Sequence, residues 1–228
     1  MGYPGGKSGD GVFHKIINQI PPHDVYIEPF LGGGAIMLNK RRASSSIVID
    51  RDADVLTDFV GLPGTLVECG DAISLLPDIV ATMVGDGKKV FVYADPPYLL
   101  ETRKSRLPIY KYEMLTEHAH SQLLAMLQRL PCMVALSGYW SSLYETSLQG
   151  WRSINFQART RRGTATEWLW MNYPEPVELH DYSYLGENFR EREKITRQRK
   201  RWRARLLRMS ALQRYALLAS IAELGVAS

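Results

Sequence analysis

The sequence has 228 residues, of which 45% are hydrophobic, and it carries a formal net charge of +4. This length suffices for one full-sized globular domain with a small appendage, and apolar runs such as 90–94 are far shorter than the roughly 20 residues of a membrane-spanning helix. Because the N-terminus also lacks the basic-then-apolar pattern of a secretory signal, we expect a cytoplasmic protein without a membrane span.

Short apolar or β-branched runs alternate with amphipathic stretches along most of the chain. The predicted strands are 25–30, 47–50, 66–69, 90–95, 133–137, 152–157 and 167–172. The predicted helices between the first five strands, where apolar residues recur at three- and four-residue spacing, are 35–43, 52–60, 71–84 and 115–130. This alternation predicts an α/β fold with a seven-stranded, mostly parallel sheet covered on both faces. A turn at 161–164 joins the last two strands, which are expected to form an antiparallel hairpin at one edge.

The charge is divided unevenly along the chain. Residues 1–185 carry 17 Lys and Arg against 20 Asp and Glu, or −3, whereas residues 186–228 carry 11 against 4, or +7. We therefore expect a domain at 1–185 and a basic helical hairpin at 186–228, with helices at 190–208 and 211–224. Ser210 to Gln213 fits a capping box at the start of the second helix. Such a cationic segment is typical of a polyanion-binding surface, although a membrane-surface helix has a similar composition.

A glycine-rich segment, Glu28 to Ala35, follows the first predicted strand and opens a helix. Its three consecutive glycines allow a sharp turn and a close approach to a ligand. The segment lacks the Lys-Ser/Thr pair of a P-loop, which argues against a loop that binds nucleotide phosphates. The second strand ends in Asp50, where a carboxylate commonly accepts ribose hydroxyls. The third ends near Asp71, which is either a ligand contact or the N-cap of the next helix.

The segment Asp95-Pro96-Pro97-Tyr98 begins at the last residue of the fourth predicted strand. Methylation of an aromatic amine is difficult because the lone pair of its nitrogen is delocalised into the ring. The Asp95 carboxylate and the backbone carbonyl of Pro96 are both acceptors, so they could hold the two amine hydrogens and leave the lone pair facing a methyl donor. Tyr98 would offer a flat face on which an extruded base can stack. The alternative is a proline-rich turn without chemistry.

In this order, these segments resemble the Dam-type family of DNA adenine-N6 methyltransferases. The resemblance begins at Tyr3, Gly5, Gly6 and Lys7 and extends through residue 172, past the motif 136–139 and Glu167. It implies a Rossmann-like methyltransferase fold and the cofactor S-adenosylmethionine. By position, it implies cofactor contacts from Tyr3, Lys7, Phe30, Gly32, Gly34, Asp50 and Asp71. It implies that Asp95 orients the acceptor amine, and the chemistry of the motif adds Pro96 and Tyr98 as catalytic candidates.

One departure from the family concerns target recognition. The family normally has a sizeable insert between the third-strand Asp and the Asp-Pro-Pro-Tyr motif, but here only 23 residues separate Asp71 from Asp95. Phosphate contacts are instead expected from two short basic segments, one after Tyr98 and one at the hairpin tip. The candidate residues are Arg103, Lys104, Arg106, Lys111, Arg161 and Arg162. We predict short or relaxed sequence specificity.

Several alternatives remain open on the sequence alone. The same amine geometry serves cytosine N4 methylation, and Asp rather than Ser before Pro-Pro-Tyr favours adenine only as a family tendency. DNA is the expected partner, but RNA is an alternative substrate. A non-catalytic nucleic-acid-binding module would keep the fold and the basic tail without needing Asp95 or Tyr98. The five histidines show no metal-ligand spacing, so we expect no metal.

Overall fold

The structure is a computed structural model that describes residues 6–7, 11–103, 109–160 and 163–225. The chain divides into two compact units, Met1–Tyr182 and Ser183–Ser228. The strands of the first unit are β1 Val25–Pro29, β2 Ser45–Asp50, β3 Thr65–Cys69, β4 Val90–Ala94, β5 Met133–Gly138, β6 Arg152–Thr160 and β7 Gly163–Met171. Its helices are α1 Val12–Ile17, α2 Ala35–Asn39, α3 Ala53–Leu56, α4 Ala72–Gly85, α5 Glu117–Arg129 and α6 Ser142–Ser147, with 3-10 turns at Thr57–Phe59 and Leu100–Thr102.

The seven strands form one mixed sheet in the order β3-β2-β1-β4-β5-β7-β6. β1 to β5 pair in parallel, and β7 runs antiparallel to both β5 and β6. The predicted Rossmann-like α/β fold with an antiparallel final hairpin is therefore confirmed. Every residue of β1 and β4 is buried, as expected for central strands covered on both faces.

The order of the strands reverses between β1 and β4, since β2 and β3 lie on one side and the later strands on the other. In open α/β sheets, a crevice forms at such a switch point beyond the carboxyl ends of the strands. The segments that follow β1, β2 and β4 therefore meet there. These are the segments in which the sequence predicted ligand-binding and catalytic residues.

Two of the predicted helices are shorter than expected. α2 ends at Asn39 because Lys40 is extended (φ −77°, ψ 157°), and the Lys40 ammonium lies 3.8 Å from the centre of the Tyr26 ring. The predicted helix 52–60 divides into α3 and a 3-10 turn, and the Asp52 side chain caps α3 by accepting a hydrogen bond from the Asp54 amide. α4 and α5 agree with the predicted helices to within two residues at each end.

The second unit consists of two helices, α7 Phe189–Leu207 and α8 Ala211–Gly225. α7 begins after Asn188, whose side chain accepts a hydrogen bond from the Glu191 amide. The predicted capping box at the start of α8 is present, since the Gln213 amide donates to Ser210 Oγ (3.3 Å) and the Ser210 amide donates to Gln213 Oε1 (3.1 Å). Among the helices that the structure describes, none is long and apolar enough to cross a membrane.

Candidate active site

A solvent-open cleft lies at the switch point of the sheet. It is lined by the glycine-rich loop after β1, by the residues after β2, by the residues after β4 and by the segment 110–114. The predicted site residues that line it are Lys7, Phe30, Gly32, Gly34, Asp50, Asp95 and Lys111. Tyr3 lies outside the described residues. The fold thus brings most of the predicted cofactor residues and Asp95 into one cleft.

The glycine-rich loop has a backbone that requires glycine at one position. Gly34 has a φ of +57°, and a Cβ there would lie 2.3 Å from Cζ of Phe59. Phe30 also has a positive φ, +66°, which is unfavourable for a residue with a side chain and is held by a hydrogen bond from the Leu31 amide to the Ile49 carbonyl. Strained backbone of this kind is typical of ligand-binding loops.

Asp50 links this loop to the end of β2. Its Oδ2 accepts a hydrogen bond from the Gly32 amide (3.0 Å), and its Oδ1 accepts one from the Asp52 amide (2.9 Å). A carboxylate has about four lone-pair sites, so Asp50 keeps acceptor capacity while its orientation is fixed. The geometry is compatible with a carboxylate that accepts the hydroxyl groups of a ribose.

Asp71 occupies a different position from the other predicted cofactor residues. Its Oδ1 accepts a hydrogen bond from the Ile73 amide and caps α4, and its Oδ2 lies 2.8 Å from Arg51 Nη2. Arg51 lines the cleft, but Asp71 does not. In this structure Asp71 therefore serves as a helix cap and orients Arg51, and a contact with the cofactor would require additional movement.

Lys7 reaches into the centre of the site. Its Nζ lies 2.8 Å from both carboxylate oxygens of Asp95 and donates a hydrogen bond to the Tyr98 hydroxyl at 2.7 Å. The Lys7 side chain is buried, and Asp95 is largely buried. Burial alone would lower the pKa of Lys7, but Asp95 and Glu167 outweigh it and raise that pKa above its usual value. Lys7 is therefore a cation whose charge is directed at the Asp95 carboxylate.

Tyr98 and Pro96 are more enclosed than the sequence suggested. Both are buried, and neither lines the cleft, unlike Pro97. The Tyr139 ring packs edge-on against Tyr98, with the ring centres 4.6 Å apart. The predicted open stacking face of Tyr98 is thus covered here, and a base that stacked on it would have to displace a neighbouring side chain.

An ion pair on the segment after Tyr98 corrects the prediction for Arg103. The guanidinium donates from Nη1 and Nη2 to the two oxygens of Glu113 (3.0 and 2.7 Å) and from Nε to the Tyr98 carbonyl (2.6 Å). Both side chains are buried, at 6% and 8% exposure. Arg103 was expected to contact phosphates, but its donors are used internally. It connects the Asp-Pro-Pro-Tyr turn to a residue that lines the cleft.

Glu113 fixes the backbone of its own segment as well. Its Oε1 also accepts hydrogen bonds from the amides of Ile109 (2.7 Å) and Tyr110 (3.1 Å). Burial raises the pKa of the Glu113 carboxyl, but the hydrogen bonds from Arg103 and the two amides outweigh it, so the pKa is below its usual value. We refer to the pair Arg103 and Glu113 as the clamp.

The other predicted phosphate contacts are placed as follows. The Lys111 ammonium lies 2.7 Å from Asp52 Oδ1 and 3.0 Å from Asp54 Oδ2, with its side chain 54% exposed. It therefore links the segment after Tyr98 to the opposite lip of the cleft instead of presenting a free charge. Four further candidates, Lys104, Arg106, Arg161 and Arg162, lie outside the described residues.

Two buried carboxylates at the site were not given roles from the sequence. Glu28 of β1 lines the cleft, and its Oε2 accepts hydrogen bonds from the Tyr26 hydroxyl (2.7 Å) and the Met37 amide (3.0 Å). Burial raises the pKa of Glu28 to about 8. Glu167 of β7 lies 3.6 Å from Lys7 Nζ. The sequence feature that could have identified both residues is a glutamate within a predicted strand of largely apolar residues. Within the described part of the chain, no group of three or more His, Cys, Asp or Glu residues could hold a metal.

Comparison with known protein families gives one match to the chain. Residues 71–151 match the family model described as D12 class N6 adenine-specific DNA methyltransferase. This range contains the Asp-Pro-Pro-Tyr segment and the clamp. The match confirms the family resemblance predicted from the sequence. No curated protein matches the chain.

Solved structures with a similar fold share little sequence with this chain. A dimethyladenosine transferase from Plasmodium falciparum is 13% identical, with 75% of this chain and 63% of that chain covered and a TM-score of 0.46. The N-methyltransferase NodS from Bradyrhizobium japonicum is 5% identical, with 71% and 93% covered and a TM-score of 0.47. Precorrin 8w decarboxylase from Methanobacterium thermoautotrophicum is 12% identical, with 75% and 94% covered and a TM-score of 0.45.

Proposed function

We propose that this chain methylates the exocyclic N6 amine of adenine in DNA. The family match supports the broader activity, which is methyl transfer from S-adenosylmethionine. The observation that carries the proposal is the position of Asp95. Its carboxylate lines the same cleft as the glycine-rich loop and Asp50, so an acceptor for an amine and a site for a methyl donor adjoin each other.

The cleft has the features that the methyl donor requires. Asp50 has acceptor capacity for the ribose hydroxyls, and its orientation is fixed by two backbone amides. The turn at Gly34 allows a close approach of the backbone, and Phe30 adds an apolar wall. We assign Lys7, Phe30, Gly32, Gly34 and Asp50 to this site. The bound cofactor supplies an electrophilic methyl group on a sulfonium.

At the acceptor side, Asp95 and the Pro96 carbonyl would accept the two hydrogens of the amine and leave its lone pair directed at the methyl group. The amine nitrogen of the flipped base would attack the methyl carbon in line as the bond from that carbon to sulfur breaks, without a covalent enzyme intermediate. S-adenosylhomocysteine would leave, and the extra proton of the amine would pass to solvent in the open cleft. The fixed backbone of the two prolines limits the motion of both acceptors. The clamp supports this geometry, because Arg103 binds the carbonyl of Tyr98 directly after them.

The choice of adenine in DNA is favoured by two observations of different kinds. The family that matches residues 71–151 is described as an N6 adenine-specific DNA methyltransferase, and the motif has Asp rather than Ser before Pro-Pro-Tyr. Cytosine N4 and RNA adenine N6 require the same acceptor geometry, so they are the enzymatic alternatives. A binding module without catalysis is the alternative of a different class.

Identification of the methylated base tests the proposal. Unmethylated mixed-sequence DNA and RNA of the same sequence are incubated separately with the purified chain and S-adenosylmethionine carrying a labelled methyl group. We expect N6-methyladenine in DNA. N4-methylcytosine or transfer only to RNA would support the corresponding alternative, and cofactor binding without any transfer would favour the binding module.

The sequence context of the product tests the predicted specificity. Because no large insert separates Asp71 from Asp95, few side chains are available to read bases, and each specific base contact requires its own donor or acceptor. We expect the methylated positions to share a context of about four base pairs or fewer. Sequencing of methylated DNA measures this, and a longer shared context would contradict the prediction.

The basic second unit is proposed to contact the nucleic-acid backbone. Residues 186–228 have a net charge of +7, and phosphate contacts release counterions, so binding weakens as salt rises. A chain that ends at residue 188 is expected to bind DNA with a shallower dependence of log Kd on log salt. Binding titrations of both chains between 50 and 200 mM salt, about the range over which such contacts are readily resolved, measure the slope. An unchanged slope would mean that α7 and α8 do not bind phosphates.

A further inference from the structure

The Asp95 carboxylate is already engaged in the absence of substrate. Both of its oxygens lie 2.8 Å from Lys7 Nζ, so the ammonium bridges the two oxygens of the carboxylate. Under the proposed function, the amine of the target base must form its own hydrogen bond with this group. Lys7 and the base must therefore share the lone pairs of Asp95, and a second acceptor for the ammonium would free the lone pairs that Lys7 occupies.

Glu167 provides such an acceptor. Its side chain is 8% exposed, and its Oε2 lies 3.6 Å from Lys7 Nζ, which is beyond hydrogen-bond length. This oxygen is buried and has no hydrogen-bond partner within the described part of the chain. An unpaired buried oxygen of a carboxylate is costly. A shift of the ammonium by less than about 1 Å would bring it into hydrogen-bond range of Glu167.

The charges of the cluster make this shift feasible. One ammonium lies between two carboxylates, and it remains paired with one of them at either end of the movement. The pKa of the Glu167 carboxyl is above its usual value, because burial and the charge of Asp95 raise it more than the charge of Lys7 lowers it. Lys7 thus stabilises the ionised form of Glu167. The ammonium keeps a carboxylate partner throughout the exchange, and Asp95 receives the hydrogens of the amine in place of the ammonium.

We propose that Glu167 is a positioning residue, which forms an ion pair with the Lys7 ammonium when the amine of the target base binds Asp95. This inference rests on the proposed function. Only hydrogen bonds change partners in this step. Lys7 moves from Asp95 towards Glu167, and the Asp95 oxygens become available to the amine hydrogens. Glu167 touches neither the base nor the methyl donor, and it acts through Lys7.

The substitution Glu167→Gln tests the proposal by removing the charge while keeping the size of the side chain. Lys7 should then remain on Asp95, and the base must displace it without compensation. We expect the KM for DNA to rise about tenfold or more, the effect of replacing a hydrogen bond between charged groups by a weaker one. The KM for S-adenosylmethionine and kcat at saturating DNA should change by no more than about twofold. Glu145→Gln, the same change at an exposed position of α6, is the control and should leave all three values unchanged.

A double variant separates this role from a structural one. In the chain with Lys7→Met there is no ammonium to relocate, so adding Glu167→Gln should raise the KM for DNA no further. Independent effects of the two substitutions would multiply instead. If Glu167→Gln fails to fold, as thermal unfolding would show, the comparison of Lys7→Met with the double variant still tests the dependence on Lys7, because neither of these two variants contains the ammonium.

The outcomes distinguish this proposal from the proposed function. If the parent chain methylates DNA and Glu167→Gln has an unchanged KM for DNA, the role of Glu167 is wrong and the function stands. Multiplying effects in the double variant would also refute it. If the parent chain binds S-adenosylmethionine but transfers no methyl group to DNA, the proposed function is wrong, and the inference is overturned with it.

Discussion

Replacement of Asp95 by Ala is expected to lower the rate of methyl transfer by about 10²- to 10³-fold, as when other enzymes lose one preorganised hydrogen-bonding group at the reacting centre. The amine would lose the acceptor that fixes its orientation, and its lone pair would return to the ring. Binding of S-adenosylmethionine should change little, because Asp50 and the glycine-rich loop hold that side of the cleft. Single-turnover methyl transfer and calorimetric cofactor binding measure the two effects separately.

The matched control is Asp50→Ala, which should give the opposite pattern. This substitution removes the acceptor assigned to the ribose and the link to the Gly32 amide, so cofactor binding should weaken most. Loss of both cofactor binding and transfer in Asp95→Ala would show that Asp95 holds the cofactor and does not orient the amine. The isosteric Asp95→Asn separates loss of charge from loss of the side chain.

Arg103→Ala is expected to destabilise the first unit by about 3–5 kcal/mol, the usual effect of removing one partner from a buried ion pair. Glu113 would keep its two amide donors but lose both guanidinium bonds, and the Tyr98 carbonyl would lose its bond from Nε. Chemical denaturation of the parent chain and the variant measures the difference in the free energy of unfolding. Arg103→Lys should recover little of the loss, because an ammonium cannot reproduce the bidentate contact and the Nε bond together.

Lys111→Ala is the control for this prediction. Lys111 lies on the same segment and pairs with two carboxylates, but its side chain is 54% exposed. Solvent screens exposed pairs, so they contribute little to stability, and this variant should unfold at nearly the parent midpoint. Equal destabilisation by the two substitutions would mean that burial does not determine the strength of the clamp.

The fold could be predicted from the sequence because its determinants are local. Apolar runs such as 90–94 identify central strands, and Ser210 with Gln213 identifies the start of α8. The early end of α2 could not be predicted, because Lys40 is extended there and its ammonium makes a tertiary contact with the Tyr26 ring of β1. The position of β7 between β5 and β6 is likewise a tertiary property, since a hairpin can dock through either strand.

The candidate site could be predicted where a motif specifies one residue and not where two distant residues must meet. Asp50 and Asp95 follow strands directly and were placed in the cleft as expected. Arg103 was assigned to phosphate binding because a basic loop is typically exposed, and its pairing with Glu113 depends on how the segment between them folds. Lys7 was assigned to the cofactor, and its contacts with Asp95 and Glu167 depend on strands far along the chain.

The arrangement of these contacts has a consequence for the order in which the protein folds during synthesis. Lys7 binds Asp95, 88 residues further along the chain, and also pairs with Glu167, which lies on the final strand of the sheet. Long-range contacts of this kind form late, after loop closure has brought their partners together. The ribosome must therefore release β7 before the Lys7 cluster can assemble. A nascent chain that has completed only β1 to β5 lacks Glu167, so Lys7 can pair with Asp95 but has no second carboxylate until the last strand docks.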